Sequence, residues 1–364
     1  MLRIMMMTGL PTVLAGLLTA CSAPQTIRLP QRVEAQDLAF APDGSALVVR
    51  YLENEAITVQ CRDMPSGKVR WQANGLGGLS GRLIDFSPDG TTVAVAEKDH
   101  VRLFAMEDGA AVDRISLDEP LYVLQCQYLP DNTLALLVGR RAKNNTVDLT
   151  LEIWRLDGTQ AVEPQILTSH AHNAQWWRPF SADGRWLAYR AGSDLVGMLD
   201  TRSLERWELN LEDLPYGLEM SGYSTTLALA PAGDELALGL TRFKHWTGDR
   251  FLAADEPLVV RIDVRSGDVI ASLPSAAGTQ ADDAPIYLTY DPRQRYLAAG
   301  LLESQTLLLY DLGDEGAPPN VLCQGDKCCW REPTFSPDSQ TLLALCRRKI
   351  SRYDMAQIHS KWAP

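Results

Sequence analysis

Positive charge is scarce in this sequence. Its 34 lysines and arginines face 46 aspartates and glutamates, a net charge of −12. Such a surface repels phosphate backbones, so nucleic acid is not an expected partner. No apolar run after residue 20 is long enough to span a bilayer. Amphipathic helical periodicity is not evident beyond that point either, which argues against a helical array. A Gly-x-Ser-x-Gly elbow is missing, and Gly78-Leu79-Ser80-Gly81 lacks the second glycine where it is needed, so serine-hydrolase chemistry is not expected. No glycine-rich loop ending in Gly-Lys-Ser/Thr offers a phosphate cradle. These gaps leave no cofactor to expect and no catalytic residue to name.

What the chain does have begins at its start. Residues 1–20 carry one charge, Arg3, and an apolar run from Ile4 to Ala20 interrupted by Gly9 and Pro11, the pattern of a secretory signal peptide. The run closes on Leu18-Thr19-Ala20-Cys21, which resembles the bacterial lipobox. That resemblance implies cleavage before Cys21 and acylation of its amino terminus, with several acyl chains needed for stable anchoring. Ser22 resembles the outer-membrane sorting pattern, so the expected location is the outer membrane, lipid-anchored, on the periplasmic face.

A short segment then recurs seven times. Its clear copies are Phe40-Ala41-Pro42-Asp43-Gly44, Phe86-Ser87-Pro88-Asp89-Gly90, Phe180-Ser181-Ala182-Asp183-Gly184 and Phe335-Ser336-Pro337-Asp338-Ser339. Weaker copies are Tyr128-Leu129-Pro130-Asp131-Asn132, Leu229-Ala230-Pro231-Ala232-Gly233-Asp234 and Tyr290-Asp291-Pro292-Arg293. The third positions fall at 42, 88, 130, 182, 231, 292 and 337, a spacing that means propeller blades or helical arrays. Flanking stretches such as Thr91 to Ala96 favour strands, and the segment itself suits a tight turn. The reading is an all-β, seven-bladed propeller of four-stranded antiparallel blades over residues 34–364, each segment joining strands a and b.

These Phe-Ser-Pro-Asp-Gly hairpins resemble those of WD-repeat and TolB-type propellers, and the resemblance runs from Leu38 to Tyr353. It departs from true WD repeats in lacking the Gly-His dipeptide before strand a and a regular Trp-Asp after strand c. Closing such a ring seals the last blade against the first. Residues 21–33 supply the tether and one closing strand, Thr26-Ile27-Arg28-Leu29; Met355 to Trp362 is the competitor.

The recurrent Asp43, Asp89, Asp131, Asp183 and Asp338 are read as turn formers rather than as calcium ligands or catalysts, because each holds the same hairpin position. His170-Ala171-His172, His100 and His245 fall in different blades, and no metal site is expected from them. Six cysteines remain in an oxidising compartment once Cys21 is set aside, and six allow fifteen pairings. Cys323, Cys328 and Cys329 lie in the loop entering blade seven, and Cys346 ends that blade's second strand, which places a disulfide between Cys346 and either Cys328 or Cys329. Zinc is the alternative for that cluster. Cys61 and Cys126 are too distant to pair and read as buried apolar side chains.

Function is expected on the face bearing the d–a and b–c loops. The long insertion from Thr241 to Pro257 carries Phe243, Trp246 and Arg250, and two further loops carry Trp176-Trp177-Arg178 and Trp330-Arg331. Tryptophan and arginine dominate binding energy at protein interfaces. The chain therefore reads as a non-catalytic platform for another envelope protein, of unknown identity, held to the membrane by lipid. The alternative is a small-ligand binder or enzyme with its site at the channel mouth.

Overall fold

The computed structural model describes residues 25–31, 33–53, 56–76, 83–117, 121–141, 147–168, 179–191, 195–210, 226–239, 258–276, 283, 285–314, 316–346 and 348–362. They form seven antiparallel sheets arranged as a propeller. Strand β1 (Gln25–Arg28) comes first and belongs to the last blade. Blade one is β2 (Val33–Phe40), β3 (Ala46–Glu53), β4 (Ala56–Asp63) and β5 (Val69–Leu76). Blade two is β6 (Ile84–Phe86), β7 (Thr92–Ala96), β8 (His100–Ala105) and β9 (Ala111–Ser116). Blade three is β10 (Leu121–Tyr128), β11 (Leu134–Arg141), β12 (Val147–Trp154) and β13 (Gln165–Thr168). Among the described residues blade four has three strands, β14 (Trp186–Arg190), β15 (Leu195–Asp200) and β16 (Arg206–Asn210), with its inner strand represented by a Phe180–Leu187 bridge. Blade five is β17 (Leu227–Leu229), β18 (Glu235–Gly239), β19 (Val259–Asp263) and β20 (Val269–Leu273). Blade six is β21 (Pro285–Tyr290), β22 (Tyr296–Leu301), β23 (Thr306–Asp311) and β24 (Asn320–Cys323). Blade seven is β25 (Arg331–Phe335), β26 (Thr341–Leu345), β27 (Lys349–Asp354) and, outermost, β1.

The ring is thus closed by the N-terminal strand, with Gln25 opposite Arg352 and Arg28 opposite Lys349. Met355–Trp362, the competitor for that role, is instead a helix, α1. The Asp354 carboxylate accepts the N–H groups of Ala356 and Gln357 and so caps it. Two turns are too few to display a helical period, which is why the sequence showed none.

The core is a ring of clusters between blades. Each middle strand has both faces covered, so successive residues feed opposite interfaces. In β3, Ala46 and Val48 join the cluster with blade two while Leu47 and Val49 join that with blade seven. In β7, Val93 and Val95 turn to blade one, and Ala94 and Ala96 to blade three. Double burial explains why these strands are continuously apolar instead of alternating.

Turn chemistry repeats with the blades. The carboxylates of Asp43, Asp89, Asp131, Asp183 and Asp338 each accept the N–H two residues on, at 2.9–3.1 Å. Ser87, Ser181 and Ser336 donate their hydroxyls to that aspartate and accept the N–H five residues on. Blade six has no serine at this place. Asp291 stands there, and its carboxylate accepts the N–H groups of Arg293, Arg295 and Tyr296, doing both jobs. The next position needs a left-handed backbone: Gly44, Gly90, Gly184 and Gly233 adopt φ of 65° to 75°, and Asn132 φ of 66°.

Hydrogen bonds from Ser87 and Thr91 hold the Asp89 carboxyl below the usual carboxylate range. A lowered folded-state pKa contributes stability above the unfolded value of about 3.9 and loses it as pH falls through the folded one. Asp89→Ala is therefore expected to cost about 1 kcal/mol at pH 7, the exposed site limiting the effect. Denaturant melts of wild type and variant should converge as pH falls through that folded-state value. A gap that persists there would mean that packing, not the carboxylate, carries the turn.

Candidate interaction face

Strand order gives the propeller two unlike faces. The a–b hairpins and c–d turns leave one, and its carboxylates are engaged in turns. Asp63, Asp108, Asp200, Asp263 and Asp311 close the c–d turns much as the repeat aspartates close the hairpins, four of them by accepting nearby N–H groups. The d–a and b–c connections leave the opposite face.

On that opposite face the inner strands of blades six, seven and one begin close together. Arg331 opens β25, and its guanidinium donates to Glu34 of β2 at 3.1 Å and to the hydroxyl of Tyr287 in β21. Burial opposes the charge on Arg331, but Tyr287 and Glu34 outweigh it and hold its pKa above the ordinary value. Burial pushes the Tyr287 phenol up. Trp330 is half-buried, with its ring centroid 5.9 Å from that of Tyr287. Its carbonyl oxygen lies against Gly300, where an added Cβ would come within 2.1 Å of it. Of this pair, Arg331 is an inter-blade tie and Trp330 is partly core, so alanine at Trp330 would disturb packing as well as surface.

A second polar group gathers where β7 turns into β8. Buried Glu97 accepts from Arg102 and lies 3.0 Å from His100 Nε2, while His100 Nδ1 is 2.7 Å from Asp99. The contact with His100 holds the Asp99 carboxyl below its usual range. The Lys98 ammonium stands 5.7 Å from the centre of the Tyr122 ring. Among the described residues no group of three or more His, Cys, Asp or Glu is placed to hold a metal ion.

Two disulfides flank the entrance to blade seven. Cys346 pairs with Cys329, Cα atoms 4.6 Å apart, and Cys328 pairs with Cys323, 5.3 Å apart. Of the two partners open to Cys346 it takes Cys329, because Cys328 is engaged by Cys323. That residue is the last of β24 rather than part of the loop. These bonds leave no thiolates there for zinc. Cys61 and Cys126 are buried and take no part in a disulfide, and burial pushes the Cys61 thiol up to about 11.

Other tryptophans serve the ring itself. Trp71 of β5 donates its indole N–H to the Met106 carbonyl in the next blade at 3.0 Å. Trp207 of β16 does the same to Val264 at 3.1 Å, one blade-to-blade contact used twice. Sequence reasoning missed both, as it missed Glu34 and Tyr287. The recurring signal was a tryptophan on the outer strand. Cys21, Trp176, Trp177, Arg178, Phe243, Trp246 and Arg250 lie outside the described residues, as do His170, His172 and His245.

The fold has solved counterparts. One is the β-propeller domain of Cps50 (Swd1) from Myceliophteria thermophila, with TM-score 0.58, 14% identity, and 91% of this chain and 98% of that one covered. Another is the hydrazine synthase of Kuenenia stuttgartiensis, with TM-score 0.64, 16% identity, and coverage of 90% and 96%. At these identities the likeness shows the fold alone. No family model matches the chain, and no curated protein does.

Proposed function

We propose that this protein is a non-catalytic, lipid-anchored envelope protein that binds a protein partner through its d–a and b–c face, on the periplasmic side of the outer membrane. Strand order is the observation that carries this reading. The connections from Thr168 to Pro179, from Gly239 to Leu258 and from Cys323 to Arg331 all join strand ends of that one face, and together they hold the aromatic and arginine residues named from the sequence. A propeller supports many kinds of work, so the assignment rests on these residues and not on the fold. Aromatic and arginine side chains among loops of an acidic chain suit a neutral or basic protein surface.

Alanine at Trp177, Arg178 and Trp246 together is expected to reduce capture of the partner at least tenfold, with thermal stability unchanged. Capture is read by affinity purification from crosslinked cells with mass spectrometry. Glu107 and Arg202, in c–d turns of the other face, are the controls. Equal loss in the controls, or unfolding of the triple variant, would overturn the assignment. Trp330 is left out of the set because its ring packs on Tyr287.

A further inference from the structure

The direction of β1 fixes the side of the ring from which the N-terminal segment enters. Gln25 pairs with Arg352 and Arg28 with Lys349, so the N-terminal end of β1 points to the face of the hairpins and c–d turns, at the outer rim of blade seven. Helix α1 starts at Met355, directly after β27 ends on the same side. Four residue steps separate Gln25 from Cys21. Fully extended they span at most about 14 Å.

The rim carries one exposed carboxylate, Asp354, which is engaged as the cap of α1. Helix α1 contains no acidic residue, and Gln357, His359 and Ser360 are exposed on it. Lys361 and Trp362 follow in its sequence, types that favour the membrane interface. Arg295 lies beside it, 3.2 Å from His359 Nε2, and also pairs with Asp311 at 3.2 Å. Elsewhere on this face nearly every turn holds an aspartate, which phosphate headgroups repel.

We propose that the rim of blade seven formed by the start of β1 and by α1 rests on phospholipid headgroups, so that the d–a and b–c face is turned away from the bilayer. The proposal rests on the lipoprotein reading of Cys21. The reverse orientation would require the residues before Gln25 to lead back around the rim and would turn the d–a and b–c face toward lipid.

The test uses the full lipoprotein purified from membranes, with the mass of its N-terminal peptide determined first. It is reconstituted in vesicles of phosphatidylethanolamine and phosphatidylglycerol that carry nitroxide headgroups. A fluorophore is attached through Gln357→Cys on the rim or Leu302→Cys, which is 40% exposed on the opposite face. Quenching at least threefold stronger at 357 than at 302 is expected, and Arg295→Glu with Lys361→Glu should reduce it at 357. With the acyl mass present, equal quenching, or stronger quenching at 302, overturns the orientation alone. An N-terminal peptide without acyl mass overturns the lipoprotein reading and the orientation with it.

Discussion

Arg261→Ala is expected to lower the free energy of unfolding by about 3–5 kcal/mol, the cost of stripping one partner from a buried ion pair. Arg261 in β19 and Glu235 in β18 are only 6% and 15% exposed, and the guanidinium meets the carboxylate at 2.7–3.0 Å through Nε and Nη2. Tyr290, at the end of the inner strand of blade six, donates to the same carboxylate at 3.5 Å, so the pair lies between two blades. Burial opposes the charge on Arg261, but Glu235 more than compensates and holds its pKa up. Without the arginine, Glu235 is left in a low-dielectric seam with a phenol whose own pKa is raised by burial. The double variant Arg261→Met with Glu235→Leu should recover most of the loss, since apolar side chains of similar volume need no counter-charge there. Chemical denaturation of the three proteins measures this. A double variant as unstable as Arg261→Ala would show that packing and not charge sets the cost.

The second large effect is expected at the disulfides. Replacing Cys329 and Cys346 by serine opens a loop of 17 residues and should cost about 3 kcal/mol, most of it through the freer unfolded chain. The shorter loop between Cys323 and Cys328 is expected to contribute about 2 kcal/mol. Location makes the loss regional. The bonds tie the end of β24, the lead into β25 and the end of β26 together beside the one blade whose fourth strand comes from the other end of the chain. Hydrogen exchange of the serine variant should therefore speed first in β24 to β27 and in β1, with blades two to four little changed. Uniform acceleration around the ring would show that the blades open together and that the staple has no local role. Non-reducing peptide mapping checks the pairing itself.

Much of the architecture was legible because its signals are local. Proline, aspartate and glycine in one pentapeptide set their own turn through bonds two and five residues long, so the hairpins could be counted without knowing what they pack against. Where a copy was degenerate the chemistry was conserved by other means: Asp291 replaces a serine and still receives the N–H of Tyr296. The helix α1 escaped notice because its stability comes from the Asp354 cap and from Met355 and Ile358 against blade seven, and not from a long apolar stripe. The inner-mouth contact was also out of reach. Glu34 and Arg331 are 297 residues apart, and neither has a neighbour in sequence that announces the other.

The sequence by itself determined an all-β chain of seven hairpin-marked units, because strand preference and turn geometry act over a few residues. It also placed Cys346 near two candidate cysteines. Only the tertiary structure decided that Cys329 is the partner, that β1 and not the C-terminal segment closes the ring, and that Arg331 binds Glu34 across the join. Each of these depends on where the two ends of a closed ring meet. That position follows from the summed twist and packing of all seven blades, a property that no short stretch of sequence contains.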